Sequence, residues 1–122
     1  MIELGKFVDT ELRKVHDRIF HEEAPRGAEF PYAVYNFPNS TQTARPREDF
    51  ILEIDVWYYN EDRNFLPLET LTDNIDSHMQ RLHHYEAGKL QASIYRINRL
   101  SLPEPEPNIR RRQLRYQVNT YL

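Results

Sequence analysis

The sequence predicts an α+β two-layer sandwich: a mainly antiparallel, four-stranded sheet with two helices packed on one face. Three observations carry that expectation. Segments of helical and of strand periodicity follow one another in the order helix, strand, strand, helix, strand, strand. Neighbouring strand segments are joined by turn or linker sequences, which suits antiparallel pairing. Each helical segment carries a single apolar stripe and so needs a sheet face to cover. At 122 residues the chain has a one-domain length, and 1–122 reads as one domain.

Each element has its own signal. Leu4, Phe7, Val8, Leu12, Val15 and Ile19 recur at i, i+3, i+4 spacing and predict a helix over 2–20. HEEAPRG, residues 21–27, ends it through Pro25 and Gly27. FPYAVYNF, residues 30–37, is aromatic and β-branched and reads as a strand, with Pro31 at its tolerant first position. PNSTQTARPRE, residues 38–48, carries two prolines and no large apolar side chain, so a polar, partner-binding loop is expected. DFILEIDVWYYN, residues 49–60, alternates: Phe50, Leu52, Ile54, Val56 and Tyr58 take the core face, while Glu53, Asp55, Trp57 and Tyr59 take the other.

The second half is read in the same way. Pro67 opens a second helix, Glu69 suits its positive end, and Leu68, Leu71, Ile75, Met79 and Leu82 form its stripe. His83 and His84 are placed in its last turn, with Gly88 at the stop. KLQASIYRINRL, residues 89–100, is a third strand. PEPEPN, residues 103–108, is a stiff extended linker. RRQLRYQVNTYL, residues 111–122, is the last strand, with Leu114, Tyr116, Val118 and Thr120 on one face. Arg115, Gln117, Asn119 and Tyr121 lie on the other.

Composition narrows the function. Net charge is −3, and the only tight basic run, Arg110, Arg111 and Arg112, closely follows Glu104 and Glu106, which argues against a nucleic-acid footprint. No cysteine is present, so disulfide frameworks and thiolate metal sites are excluded. No signal-peptide run or membrane-length apolar stretch is seen, and a soluble protein made inside a cell is expected. The eight tyrosines favour sheets and interfaces.

Glu53 and Asp55 stand two residues apart on one strand face, a spacing open to acid catalysis or a divalent ion. No third carboxylate supports them, and pairing with Arg96, Arg99 or Arg115 on neighbouring strands is the simpler reading. His16, His21, His78, His83 and His84 contain no i, i+4 pair and no HExxH. A nucleophile elbow and a glycine-rich phosphate loop are both missing. The first helix mixes acidic and basic residues on its polar face, unlike a membrane-surface helix. Trp57, Tyr59 and Tyr121 on the non-core face suit either shielding of the sheet or a protein interface, and the large tyrosine share tilts towards the interface.

FPYAVYNFPNS, DFILEIDVWYYNE and the amphipathic LETLTDNIDSHMQRL follow in order after a first helix. In this arrangement the chain resembles the tail-completion proteins of long-tailed bacteriophages, the tail terminators or tail-to-head joining proteins. PYAVY and LEIDVW are the most telling pieces, and the similarity spans nearly the whole chain. The PEPEP linker and the RRR run depart from many members.

The resemblance implies an α+β fold and a hexameric ring, formed at least on its template. The ring caps the tail tube, halts its polymerisation and presents a surface to the head-completion protein. DNA only passes through its channel, and the location is the virion, at the head–tail interface, after synthesis in the bacterial host cytoplasm. No catalytic residue, metal ligand or cofactor follows from the resemblance.

A ring of identical subunits needs two different complementary patches. Glu53 and Asp55 with Trp57 are the candidates for one, and Arg110, Arg111, Arg112 and Arg115 for the other, with Tyr59 and Tyr121 as further interface candidates. Arg45 and Arg47 in the loop are candidates to face the tail tube or the DNA channel. The rival readings are a head-closure (stopper) protein, a small carboxylate- or metal-dependent enzyme using Glu53 and Asp55, and a cellular protein-binding domain.

Overall fold

The computed structural model describes residues 2–44, 47–87 and 90–121. Helix α1 (Ile2–Arg13) forms where Leu4, Val8 and Leu12 recur every four residues, and all three are buried. It is shorter than the helix predicted to residue 20. The Arg13 guanidinium donates to the carbonyls of Asp17 (3.4 Å) and Ile19 (2.9 Å), which turns the chain out of the helix. Ile19 then opens a strand, β1 (Ile19–His21), and remains buried there. The apolar period thus continued past the helix because the returning chain still crosses the core.

The other elements are β2 (Tyr32–Ala44), β3 (Arg47–Tyr59), α2 (Leu66–Met79), β4 (His83–Glu86), β5 (Leu90–Leu102) and β6 (Ile109–Tyr121). They form one six-stranded mixed sheet in the order β1-β2-β3-β6-β5-β4, curled into a half-barrel. β1 runs parallel to β2, and every other pair is antiparallel. The molecule is mostly β, which corrects the expectation of a mainly antiparallel four-stranded sheet. β1 and β4 have three and four residues, too few to display an alternating pattern.

Two further corrections have local causes. Residues 38–48, expected as a loop, belong to the β2–β3 ladder except for 45 and 46, which lie outside the described residues. Asn39, Ser40 and Thr41 pair with Ile51, Phe50 and Asp49. They are exposed, so this end of the hairpin needs backbone pairing and no apolar side chains. A bulge between Asn36 and Asn39 accommodates Pro38. His83 and His84, placed by sequence in the last turn of α2, are strand residues of β4. Arg81 adopts φ 64° and reverses the chain after Met79. Gly88, the expected stop, lies outside the described residues.

The core lies between both helices and one sheet face. Leu52, Ile54 and Val56 of β3, Leu114, Tyr116 and Val118 of β6, and Ile94 of β5 are fully buried against Leu68, Ile75 and Met79 of α2. Each such aliphatic side chain contributes about 1.5–3 kcal/mol. A bulge in β5 between Arg96 and Asn98 shifts the register with β6. The opposite sheet face carries no helix among the described residues, and the site candidates of β3 point there.

Candidate functional site on the helix-free face

Three cross-strand rows build the helix-free face. Tyr32, Trp57, Arg111 and Leu102 are in register, as are Val34, Asp55, Gln113 and Leu100, and then Asn36, Glu53, Arg115 and Asn98. Antiparallel partners sit within side-chain reach, so the register alone brings the β3 carboxylates to the β6 arginines.

The Glu53 carboxylate lies 3.2 Å from Arg115 Nε. Arg111 extends over the Trp57 ring at 4.8 Å, with its Nε 3.1 Å from Glu104 and its tip 3.8 Å from Asp55. The Nε–H groups of Arg111 and Arg115 are buried and do not point at their carboxylates, so these contacts are ionic pairs and not hydrogen bonds. Glu104 reaches this face from the proline-rich connection, whose stiffness returns the carboxylate onto β6.

Asp55 is the most enclosed of the acids at 8% exposed. Gln113 Nε2 donates to its Oδ1 at 3.0 Å. Burial raises its carboxyl above the ordinary range, against the lowering effect of the Gln113 bond and the Arg111 charge; Glu53 and Glu104 add to the rise. A groove of about 300 Å³ opens beside it, walled by Tyr32, Trp57, Glu22, Glu23 and Arg111. Its aromatic wall continues in a row beyond the groove: Trp57 stacks on Tyr32 at 6.3 Å, Tyr32 meets Phe30 at 5.1 Å, and Phe30 meets Tyr59 at 6.1 Å.

The remaining candidates separate. Arg110 and Arg112 lie on the helix side: Arg110 sits over Phe65 at 4.8 Å, and Arg112 Nε donates to Glu69 at 2.5 Å. Arg47 holds Asp49 through two bonds of 2.8 and 3.0 Å. Arg45 lies outside the described residues. Tyr59 and Tyr121 are 38% and 37% exposed at opposite ends of the face. The acidic and basic patches expected on separate surfaces therefore do not exist as such. Within one chain Arg111 and Arg115 stand against Asp55 and Glu53, because β3 and β6 are neighbours.

Sequence reasoning missed a second charge cluster. Glu69, Asp73 and Asp76 fall at i, i+4, i+7 on α2 and receive arginines from the sheet. Arg99 reaches Glu69 at 2.6 Å and Asp73 at 2.5 Å, and Arg96 reaches Asp76 at 2.7 Å. The buried Tyr116 hydroxyl also donates to Asp76 at 2.8 Å, and burial pushes that phenol strongly up. The spacing of the three acids was the available signal. This cluster fastens α2 to β5 and β6.

The histidines are dispersed: His78 contacts Glu11 at 2.7 Å, His83 contacts Ser93 at 2.8 Å, and His84 stacks on Phe7. Among the described residues no three metal-ligating side chains converge, and no helix is long and apolar enough to cross a membrane. No family model matches the chain, and no curated protein matches it significantly.

Proposed function

We propose that this protein is a non-enzymatic structural protein of a phage or prophage that caps the tail tube and joins tail to head as an oligomeric ring. The resemblance of the PYAVY and LEIDVW strands and of the LETLTDNIDSHMQRL helix supports this reading. The structural observation that carries it is the character of the helix-free face. That face neutralises its own charges, Glu53 with Arg115 and Asp55 with Arg111, and exposes Tyr59, Tyr95, Leu100 and Tyr121. Paired charge with exposed aromatic and aliphatic side chains suits protein contact. Capping needs only asymmetry: one side of the ring matches the tube end and the other does not continue its lattice.

The test is light scattering and negative-stain imaging across concentrations, with and without tubes of the tail-tube protein encoded in the same genome. Rings, free or at tube ends, are the expected result. A monomer that never engages a tube refutes the reading.

One observation favours a second reading. Asp55 combines a raised carboxyl with a groove, as catalytic acids do. Divalent-ion binding abolished by Asp55→Asn in a folded protein would move the assignment to an enzyme.

A further inference from the structure

Each end of the sheet leaves a long stretch of strand unpaired. β1 covers β2 only at Ala33, Val34 and Tyr35. β4 covers β5 only from Leu90 to Ser93, and backbone bonds of Arg81 and Leu82 to Ile94 extend the cover by one residue. Beyond these points, residues 36–44 of β2 and 95–102 of β5 meet no outer strand among the described residues.

Exposed edges are usually blunted by charge, proline or short length. These two are not. Arg96 and Arg99 of β5 turn away onto the carboxylates of α2. What the edge presents instead is Tyr95, Ile97 and Leu100, at 43%, 48% and 36% exposed. β2 has no charged residue from Asn36 to Ala44, and its one proline sits in the bulge. The short β1, in contrast, is blunted. Its Ile19 carbonyl accepts from Arg13 at 2.9 Å and its His21 carbonyl from the Glu23 N–H at 2.8 Å.

We propose that residues 39–44 of one copy pair antiparallel with residues 95–102 of the next, joining the sheets of successive copies into one closed wall. The inference rests on the ring reading above and names its interface. Direction fits: β2 and β5 are separated by three antiparallel steps and so run oppositely, and copies placed side by side with the same face inward meet antiparallel.

Stagger fits as well. Thr41 is level with Asp49, Asn119 and Ser93, so the two free stretches are offset along the strands. Bringing them together displaces neighbours by about five residues, roughly 17 Å at about 3.3 Å per residue. The repeating unit β2-β3-β6-β5 is about 19 Å wide at roughly 4.8 Å per strand. The strands then tilt by about 40° from the ring axis, within the ~35–45° of closed barrels. β1 and β4 fall beyond the ends of the new ladder and do not obstruct it. The occupant is a second copy because both open edges belong to one chain, run in opposite directions and overlap over six residues. A foreign segment on β5 would leave β2 bare.

The chain has no cysteine, so engineered pairs report cleanly. Thr41→Cys is combined in turn with Asn98→Cys and Leu100→Cys, oxidised under assembly conditions and sized on denaturing gels. Ile97→Lys and Leu100→Lys are measured in parallel for oligomer mass and melting temperature. Support is a ladder of covalent oligomers, together with about tenfold weaker assembly of the lysine variants at unchanged melting. Rings that form without cross-links and tolerate both lysines overturn this interface and leave the ring reading standing. Cross-links only to a different protein overturn the second copy as occupant. A strict monomer with and without tubes overturns both readings.

Discussion

Replacing Glu69 by glutamine tests whether α2 is held by charge as well as by its apolar stripe. Glu69 bridges two arginines from different strands, Arg99 at 2.6 Å and Arg112 at 2.5 Å. Arg112 and Arg99 are 17% and 25% exposed, but Glu69 itself is 39% exposed. The expected loss lies between an exposed pair, about 0–1 kcal/mol, and a buried one, about 3–5 kcal/mol. Solvent at Glu69 places it between the two, about 2 kcal/mol. Arg99 retains Asp73, so most of the loss comes from Arg112, whose guanidinium is left part-buried beside an amide.

For a domain of this size, that loss lowers the melting temperature by about 6–10 °C. Urea unfolding gives the free energy directly, and a double-mutant cycle with Arg112→Met isolates a coupling of about 1 kcal/mol. The loss persists in high salt, because part-buried pairs are weakly screened. On the other sheet face, Glu53→Gln costs about 0.5 kcal/mol, since Glu53 meets a single arginine without a hydrogen bond where Glu69 meets two. An E69Q variant within 0.5 kcal/mol of wild type, or one no worse than E53Q, refutes the reasoning.

Three other outcomes follow from the same geometry. Asp55 has a folded pKa raised above its unfolded value, so the native state holds that proton longer and loses stability as pH climbs from the unfolded to the folded value; Asp55→Asn removes this dependence in acid-range unfolding scans and is the more stable protein at neutral pH. Tyr35, donating to Asp9 at 3.1 Å and pushed up to about 12, makes the fold lose stability from its unfolded pKa near 10 upward; Tyr35→Phe costs about 1 kcal/mol at pH 7 and flattens the alkaline limb of the stability curve. Arg111→Leu removes the cation over the only tryptophan, and the Trp57 emission spectrum shifts while far-UV dichroism stays unchanged.

The sequence made β3 readable because its two faces differ sharply. Leu52, Ile54 and Val56 are fully buried, while Glu53 and Trp57 face away. The Glu53–Arg115 pair followed once β3 and β6 were both read as alternating strands. Arg96 and Arg99 did not follow. An odd separation of three residues puts them on opposite faces of a regular strand, but the β5 bulge returns both to α2. No alternation pattern reveals an inserted residue. Residues 39–44 failed as a strand prediction for a different reason. Apolar alternation reports burial, and Asn39, Ser40 and Thr41 pair where their side chains are in solvent.

Charge placement bears on the choice between an interaction protein and an enzyme. A general acid has to reach its substrate as well as hold a raised pKa. Asp55 owes its raised carboxyl to burial, against the lowering effect of Gln113 and Arg111, and both groups already engage the carboxylate where it lines the groove. Glu53 faces Arg115 on the next strand. The charges of α2 are likewise spent inside the chain, on Arg96, Arg99 and Arg112. What the fold leaves unspent is backbone hydrogen-bonding capacity along β2 and β5, with Tyr95, Ile97 and Leu100 beside it. Such edges promote indiscriminate association unless a specific partner covers them. Two opposed open edges, on a sheet face whose Glu53 and Asp55 are paired with arginines, favour the proposed contact with a second copy over the processing of a small molecule.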